Sequence, residues 1–408
     1  MRVAVVLEHR FERTPDGRVW TQGPFPYSFF TRYLDGFDAV RVVARVATVR
    51  QARAGALAAD GEGVEFRGVP DYHGPWEYLR RRVGLAAAIT CALDPEDAVI
   101  LRIPSQVASL VAARLAGQGR AYAAEVVGDP WDAMAPGAFR HPLRPVFRYL
   151  QTREMARQCR YASATAYVTE HALQRRYPPA AHAPTTHYSS VELRDEAFVS
   201  SPPTAPPAAT KLISVGSMEH LYKGQDTLLT AVRQCLDEGL EIRLTLVGDG
   251  RCRPFLENRV RDLLLGRVVR FHGAAPSGAA VRELLDEADL FVLPSRQEGA
   301  PRALLEAMAR GLPAISSTVG GIPELLCEED LAPPDEPEAL ASRIAEVCRD
   351  APRRDRMAAR NLDRAHEYHD AVLGRRRRAF YSVVRGQTAL HRREREIAVA
   401  PQVARGRD

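Results

Sequence analysis

Lysine is almost missing from this chain. Of 56 basic residues in 408, only Lys211 and Lys223 are lysines and the other 54 are arginine. The bias fits the many Ala, Gly and Pro and looks like genome composition, so each remaining lysine raises the question of why arginine does not serve there. Cysteine is sparse too: Cys91, Cys159, Cys235, Cys252, Cys327 and Cys348 are scattered, with no Cys-x-x-Cys and no clustered His. That argues against a disulfide framework or a zinc site and suits reduced thiols in a cytoplasm. Long apolar runs are also absent. The opening Val/Leu-rich stretch turns polar at Glu8-His9-Arg10, too short for a signal peptide and far too short to span a bilayer.

Positive charge is scarce outside one end. The formal net charge is +5, yet residues 375–408 hold ten Arg against Glu394, Glu396 and Asp408, leaving the rest at −2. A nucleic-acid binder would carry its basic excess on the folded body, interleaved with aromatics, so nucleic acid is not expected as a partner. The run Arg375-Arg376-Arg377-Arg378 reads first as a solvated helix face. Peripheral contact of 375–396 with an anionic membrane, from the cytoplasmic side, is the functional alternative.

What is present is a chain 46% apolar and 26% charged, long enough for two domains. Up to about residue 195, apolar runs at 2–7, 39–46, 64–69, 98–103, 122–127 and 164–168 alternate with helical spacing at 76–91, 105–115 and 143–160. Continuous apolar strands separated by helices predict a parallel sheet covered on both faces. Ser200-Ser201-Pro202-Pro203-Thr204-Ala205-Pro206-Pro207 can form neither helix nor ladder and marks a linker. The alternation then restarts, with strands at 211–215, 242–247, 268–271, 290–293 and 313–316. The spacing predicts an α/β chain of two doubly wound, Rossmann-like domains facing a cleft. Its parts are 1–198, a linker 199–209, 210–365, a helix 366–385 crossing back to the first domain, and a basic tail 386–408.

In open α/β sheets ligands bind beyond the carboxyl ends of strands, and three such ends in the second domain carry chemistry. After 211–215 comes Gly216-Ser217 and then Lys223-Gly224, where an ammonium and the N–H groups of a new helix form a site for phosphate. After 242–247 comes Gly248-Asp249-Gly250, by itself as well read as an ordinary turn. After 290–293, a loop bears Glu298, Pro301 suits a first helical position, and Glu306 lies in the second turn, facing the apolar side of the cleft. A carboxylate there wants hydroxyl partners such as a ribose or sugar offers.

As an ordered set, Val215-Gly216, Lys223-Gly224-Gln225-Asp226, Val247-Gly248-Asp249-Gly250, Phe271-His272-Gly273, the Glu298-x7-Glu306 pattern and Gly320-Gly321-Ile322-Pro323-Glu324 resemble the donor site of family-4 retaining glycosyltransferases of the GT-B fold. The resemblance covers about 210–330. It implies that Lys223 binds the donor diphosphate, that Glu298 meets the sugar hydroxyls and that Glu306 holds the nucleotide ribose. Backbone near Gly299 and Ala300 would touch sugar or phosphate, and Gly216, Ser217, Gly248 and Phe271 complete the donor set. The implied enzyme is a hexosyltransferase that moves a sugar from a nucleotide-sugar to a hydroxyl of a glycan, glycolipid or small molecule, with no metal or other cofactor. Two departures stand out. Ser217 occupies the place of a usual arginine, with Arg302 the candidate to supply that charge. Where the family often shows a histidine, this chain has Asp129, taken here as a catalytic candidate. His9 and Gly23-Pro24-Phe25-Pro26-Tyr27 are further cleft candidates. A nucleotide-sugar epimerase of the same fold and a non-catalytic nucleotide-binding protein are the rival readings.

Overall fold

A computed structural model describes residues 1–134 and 142–403. The first apolar run forms β1 (Arg2–Arg13), longer than its hydrophobic stretch because the register shifts between Val6 and Arg10 and the strand then continues alongside a neighbour. In chain order follow β2 (Val19–Thr21), β3 (Ala39–Thr48), β4 (Leu57–Ala58), β5 (Val64–Pro70), β6 (Ala98–Ile103), β7 (Ala123–Val126), β8 (Ala164–Tyr167) and β9 (Thr185–His187). The main layer is parallel, in the order β5-β3-β1-β6-β7-β8-β9, while β2 and β4 pair antiparallel along the extended end of β1. Strands buried on both faces need two covers. Helices Gly74–Ala92, Gln106–Gly117 and Arg144–Tyr161 supply one, through Leu85, Val107, Val111, Met155 and Cys159. The other is built from Phe29, Phe30 and Tyr33 with Phe380 and Tyr381 of the last helix.

The second sheet contains β10 (Lys211–Val215), β11 (Arg243–Val247), β12 (Val269–Gly273), β13 (Leu290–Leu293), β14 (Ala314–Ser317) and β15 (Leu331–Ala332), all parallel in the order β12-β11-β10-β13-β14-β15. That order reverses between β10 and β13, which opens a crevice at their carboxyl ends. Between the sheets the proline-rich segment has no regular structure and is held by Arg354, whose guanidinium donates to the Pro206 carbonyl.

The last helix, Asp370–Val403, runs well past the expected end near 385; residues 404–408 of the expected tail lie outside the described residues. It persists because it has a surface to lie on. Tyr381 stacks on Tyr33 with ring centroids 5.2 Å apart, and Arg392 pairs with Glu96. Its basic character is largely spent within the molecule. Arg376 meets His187 at 2.8 Å, Arg377 meets Asp370 at 2.8 Å, Arg378 meets Asp35 at 3.7 Å and Arg385 meets Asp38 at 3.4 Å. Arg375, Arg393 and Arg395 form no ion pair among the described residues, so these pairings leave the expected contact of 375–396 with an anionic membrane neither supported nor overturned. Among the described residues no helix is long and apolar enough to cross a membrane.

Candidate functional site

Lys223 ends a single 3-10 turn, Leu221–Lys223, and Gly224 (φ 69°) then starts the helix Gln225–Asp237. Glycine is required there twice over: the backbone is left-handed, and a Cβ would stand 2.0 Å from the Pro294 carbonyl oxygen. The loop after β10 therefore rests on the end of β13. Arg296 reinforces this contact, its guanidinium donating to both Asp226 carboxylate oxygens at 2.8 and 2.9 Å, to Asp335 at 2.6 Å and to the Leu221 carbonyl. On the other side Glu298 is fixed from below. Gly320 (φ 56°) packs so closely that a Cβ would lie 1.8 Å from the Glu298 carbonyl oxygen, and the buried Ser317 hydroxyl donates to the Ser295 carbonyl at 2.5 Å.

These two loops bring Lys223 Nζ to 2.5 Å from Glu298 Oε1, which also accepts from Ser295 Oγ at 2.7 Å. The pair is largely buried, the two side chains being 14% and 8% exposed. Gly216 lies against the stem of Lys223, where a Cβ would come within 3.1 Å of Cγ. Ser217 is exposed beside it and accepts from the Glu219 amide at 3.2 Å.

One helix further on, Glu306 faces a cavity of about 500 Å³ between the domains, with Arg302 and Arg282 beside it. Burial pushes its carboxyl above the usual range, partly offset by the two guanidinium groups. None of the described residues hydrogen-bonds it, so its oxygens are open to a ligand. The opposite wall comes from the first domain. Gly23, Pro24, Phe25 and Pro26 line it with Phe29 and Arg32, and Arg32 pairs with Glu192 at 3.0 Å. Behind them Arg102 and Glu125 form a buried ion pair, with Tyr33 and Tyr188 hydroxyls each donating to Glu125 at 2.8 Å. His9 holds the Gly23 loop from beneath. Its Nε2 is 2.9 Å from Thr21 Oγ1, its ring meets Phe11 and Phe25 edge-on, and burial, helped by Arg45, brings its pKa down to about 4.

The expected residues fall into three groups. Lys223, Glu298, Gly216 and Ser217 meet at one point, with Arg302 and Glu306 on the adjoining cavity wall; Gly299 and Ala300 connect the two, and Gly299 closes on the first domain, a Cβ there lying 3.2 Å from the Val127 carbonyl oxygen. Gly248 and Phe271 sit further back: Gly248 N–H donates to Gly273 at 2.8 Å, and the Phe271 ring packs on the domain core under Arg253. Asp129 is the correction. Its carboxylate caps the helix Pro130–Ala133 by accepting from the Trp131 amide at 2.8 Å, accepts from Tyr177 at 2.5 Å and pairs with Arg176. With those partners it has a structural task and does not line the cavity, so the catalytic expectation for it is withdrawn.

Arg32, Arg102, Arg282 and Glu192 are cleft residues that pattern reading missed. For Arg102 a signal existed: it and Glu125 are single charges inside the otherwise apolar strands β6 and β7, and buried charges come in pairs. Among the described residues no group of three or more His, Cys, Asp or Glu is arranged to hold a metal ion.

Comparison with known proteins adds a matching family model over part of the chain, relatives and a fold. Residues 200–364 match the family model of glycosyl transferases group 1. The chain is 26% identical over 324 residues to protein CapJ of Staphylococcus aureus, covering 78% of this chain and 80% of that one. It is 37% identical over 158 residues to the colanic acid biosynthesis glycosyltransferase WcaL of Escherichia coli K12, where it spans only 38% of the relative's length and 36% of its own. Among solved structures, Anabaena HepE in complex with UDP superposes with a TM-score of 0.63 at 18% identity, over 92% of this chain and 98% of that one. The fold is GT-B.

Proposed function

We propose that this chain, a GT-B protein with a glycosyl transferases group 1 domain at 200–364, is a retaining glycosyltransferase that moves a hexose from a nucleoside-diphosphate donor to an acceptor hydroxyl. The observation that carries the reading is the meeting of Lys223 and Glu298 at the carboxyl ends of β10 and β13, directly before the helix Arg302–Ala309.

The chemistry breaks the bond between the anomeric carbon and a phosphate oxygen, and the nucleoside diphosphate departs with the electron pair. Stabilising the charge that develops on it is the principal task, best done by cations and N–H dipoles set in advance. In this reading the Lys223 ammonium exchanges Glu298 for the diphosphate, while free N–H groups before Arg302 add their dipoles. The released Glu298 carboxylate accepts from sugar hydroxyls, and Glu306 accepts from the ribose. Arg302 on the cavity wall stands in for the cation missing at Ser217. The acceptor enters from the side of Gly23 to Arg32 and its hydroxyl replaces the phosphate. Retention of configuration and the hexosyl class rest on the family resemblance, and no metal or other cofactor is given a part.

A UDP-sugar is the first donor to try, since HepE was crystallised with UDP, and a surface polysaccharide intermediate is the first acceptor, since WcaL is described by colanic acid biosynthesis. The test is thermal unfolding of the full chain with UDP, GDP, ADP, dTDP and their sugars, because a ligand of the folded state raises the transition in proportion to its affinity. Product analysis with the stabilising donor follows. Transfer that needs an acceptor supports the reading; conversion of the donor alone would make it an epimerase, and binding without turnover a silent nucleotide-binding protein.

A further inference from the structure

The segment Gly320-Gly321-Ile322-Pro323-Glu324, between β14 and β15, does not line the cleft cavity, yet it joins the two domains. Gly320 is left-handed, and a single 3-10 turn, Ile322–Glu324, follows. This reversal sends the Glu324 side chain to the first domain, where its carboxylate accepts three backbone hydrogen bonds. Oε2 accepts from the Glu170 amide at 2.6 Å, and Oε1 from the His171 amide at 2.9 Å and the Ala172 amide at 2.5 Å. These amides lie just beyond β8 and open the helix Ala172–Arg176. The leading N–H groups of a helix have no partner within it. Here the Leu173 N–H is met locally, by Thr169 Oγ1 at 3.0 Å, whereas those of 170, 171 and 172 take a carboxylate from 152–154 positions further along the chain.

A helix end completed from another domain ties the two together, and a carboxylate that accepts from N–H groups does so more strongly than a neutral acceptor. Arg364, on the helix Ala351–His366 of the second domain, adds to the tie. Its Nη2 donates to Glu170 Oε2 at 2.8 Å and to the Glu324 carbonyl at 3.0 Å, and this guanidinium holds the Glu170 carboxyl below the usual range. Bare backbone closes the joint. A Cβ on Gly321 would stand 2.7 Å from the Gly299 carbonyl oxygen and 2.9 Å from Thr169 Cγ2, and one on Gly299 would stand 3.3 Å from Val168 Cγ2. The same segment also carries the backbone of Glu298: Gly321 N–H donates to the Gly299 carbonyl at 3.0 Å, beside the close packing of Gly320 on the Glu298 carbonyl. The tie therefore runs from the first-domain amides through Glu324 and Gly321 to the turn that bears Glu298.

Lys223, Arg302 and Glu306 all belong to the second domain, whereas the wall from Gly23 to Arg32 belongs to the first. Register between the domains thus matters to a reaction that needs both and not to nucleotide binding alone. We infer that Glu324 is a positioning residue: by completing the helix Ala172–Arg176 it fixes the Glu298–Gly299 turn to the carboxyl end of β8, so that donor sugar and acceptor wall keep one register. The effect on transfer rests on the transferase reading; the tie between the domains does not.

The test pairs amide hydrogen exchange with kinetics on the full chain. The amides of residues 170–172 should be protected in wild type and exchange about tenfold faster or more in Glu324→Ala, with those of 225–237 unchanged. Titration with UDP, or with whichever nucleotide stabilises the chain, should give wild-type affinity in this variant. Its kcat should fall about ten- to a hundredfold, the usual cost of a small misplacement at the reacting atoms. Glu324→Gln keeps one accepting oxygen and should recover part of the turnover. Glu328→Gln, at an exposed glutamate with no hydrogen bond or ion pair among the described residues, should match wild type. Wild-type turnover by Glu324→Ala below its unfolding temperature overturns the proposal, as does exchange at 170–172 no faster than in wild type. A loss of nucleotide affinity that parallels the loss of kcat also overturns it, because the damage would then lie within the second domain. If wild type transfers no sugar, the transferase reading falls and the positioning role with it, while protection of the three amides lost in Glu324→Ala still establishes the tie.

Discussion

The ammonium of Lys223 lies 2.5 Å from a carboxylate oxygen of Glu298, so in the proposed reaction the cation that a donor diphosphate would need is already held by a residue of the same site. Each partner offsets the desolvation of the other in a largely buried place. A donor must therefore displace one ligand of Lys223 to gain it.

From this exchange, Lys223→Ala should lower turnover by about a hundredfold or more and weaken binding of the nucleoside diphosphate, with the fold intact. Glu298→Gln should separate the two effects. It removes the internal competitor, so the free nucleoside diphosphate binds severalfold more tightly, while transfer of the sugar is lost. Calorimetric titration beside turnover reads both, and a Glu298→Gln variant with weakened nucleotide binding would refute the exchange.

Glu306 gives a pH dependence of defined sign. Its folded carboxyl is raised by burial, so it becomes protonated at a higher pH than an ordinary glutamate and stops accepting hydroxyl hydrogen bonds as pH falls through that raised value. Affinity for the nucleotide should therefore decline on mild acidification in wild type. In Glu306→Gln it should be weaker throughout and lack this decline, as titration at a series of pH values checks.

Asp129→Asn is expected to act on stability. It removes the ion pair with Arg176 and weakens the helix cap at Trp131, a loss of about 1–3 kcal/mol. Thermal unfolding should shift downward while turnover of the folded enzyme stays near wild type. A variant of normal stability with abolished turnover would return Asp129 to the catalytic set.

His9 predicts how acid affects the fold. Its pKa falls from 6.5 to about 4 on folding, so the unfolded chain binds the proton more readily. The contribution is complete above pH ~6.5 and is lost as pH drops towards about 4, amounting at most to about 3 kcal/mol. His9→Gln should be less stable at neutral pH and should lack this part of the acid dependence, which denaturant unfolding at several pH values measures.

Much of the second domain was legible because its signals are local. Lys223-Gly224 and the Glu298-x7-Glu306 spacing are each set by one strand end and the helix after it, so short windows of sequence place them. The cleft wall from the first domain was not legible. Arg32 and Arg282 reach it from elements far apart in the chain, and no periodicity marks such a meeting. Asp129 misled because a carboxylate after a strand serves equally as a cap, and only the arrival of Arg176 and Tyr177 from the next crossover decides the matter. Short strands such as β9 and β15 exist through their neighbours' hydrogen bonds rather than through composition. The C-terminal helix was expected to end near 385 and give way to a basic tail, yet acidic groups of the first domain hold it further on.

That helix bears on the order in which the protein is made. Tyr381 lies on Tyr33 and against Gly36, where a Cβ would come 2.5 Å from the tyrosine Cβ, so the first lobe to leave the ribosome lacks part of its interior until the final stretch of chain emerges. During synthesis the faces of Tyr33 and Phe37 wait uncovered while the whole second lobe is built. The two lobes are separate in space but not in time, and a chain cut before residue 370 is expected to leave the first lobe, not the second, as the one that aggregates.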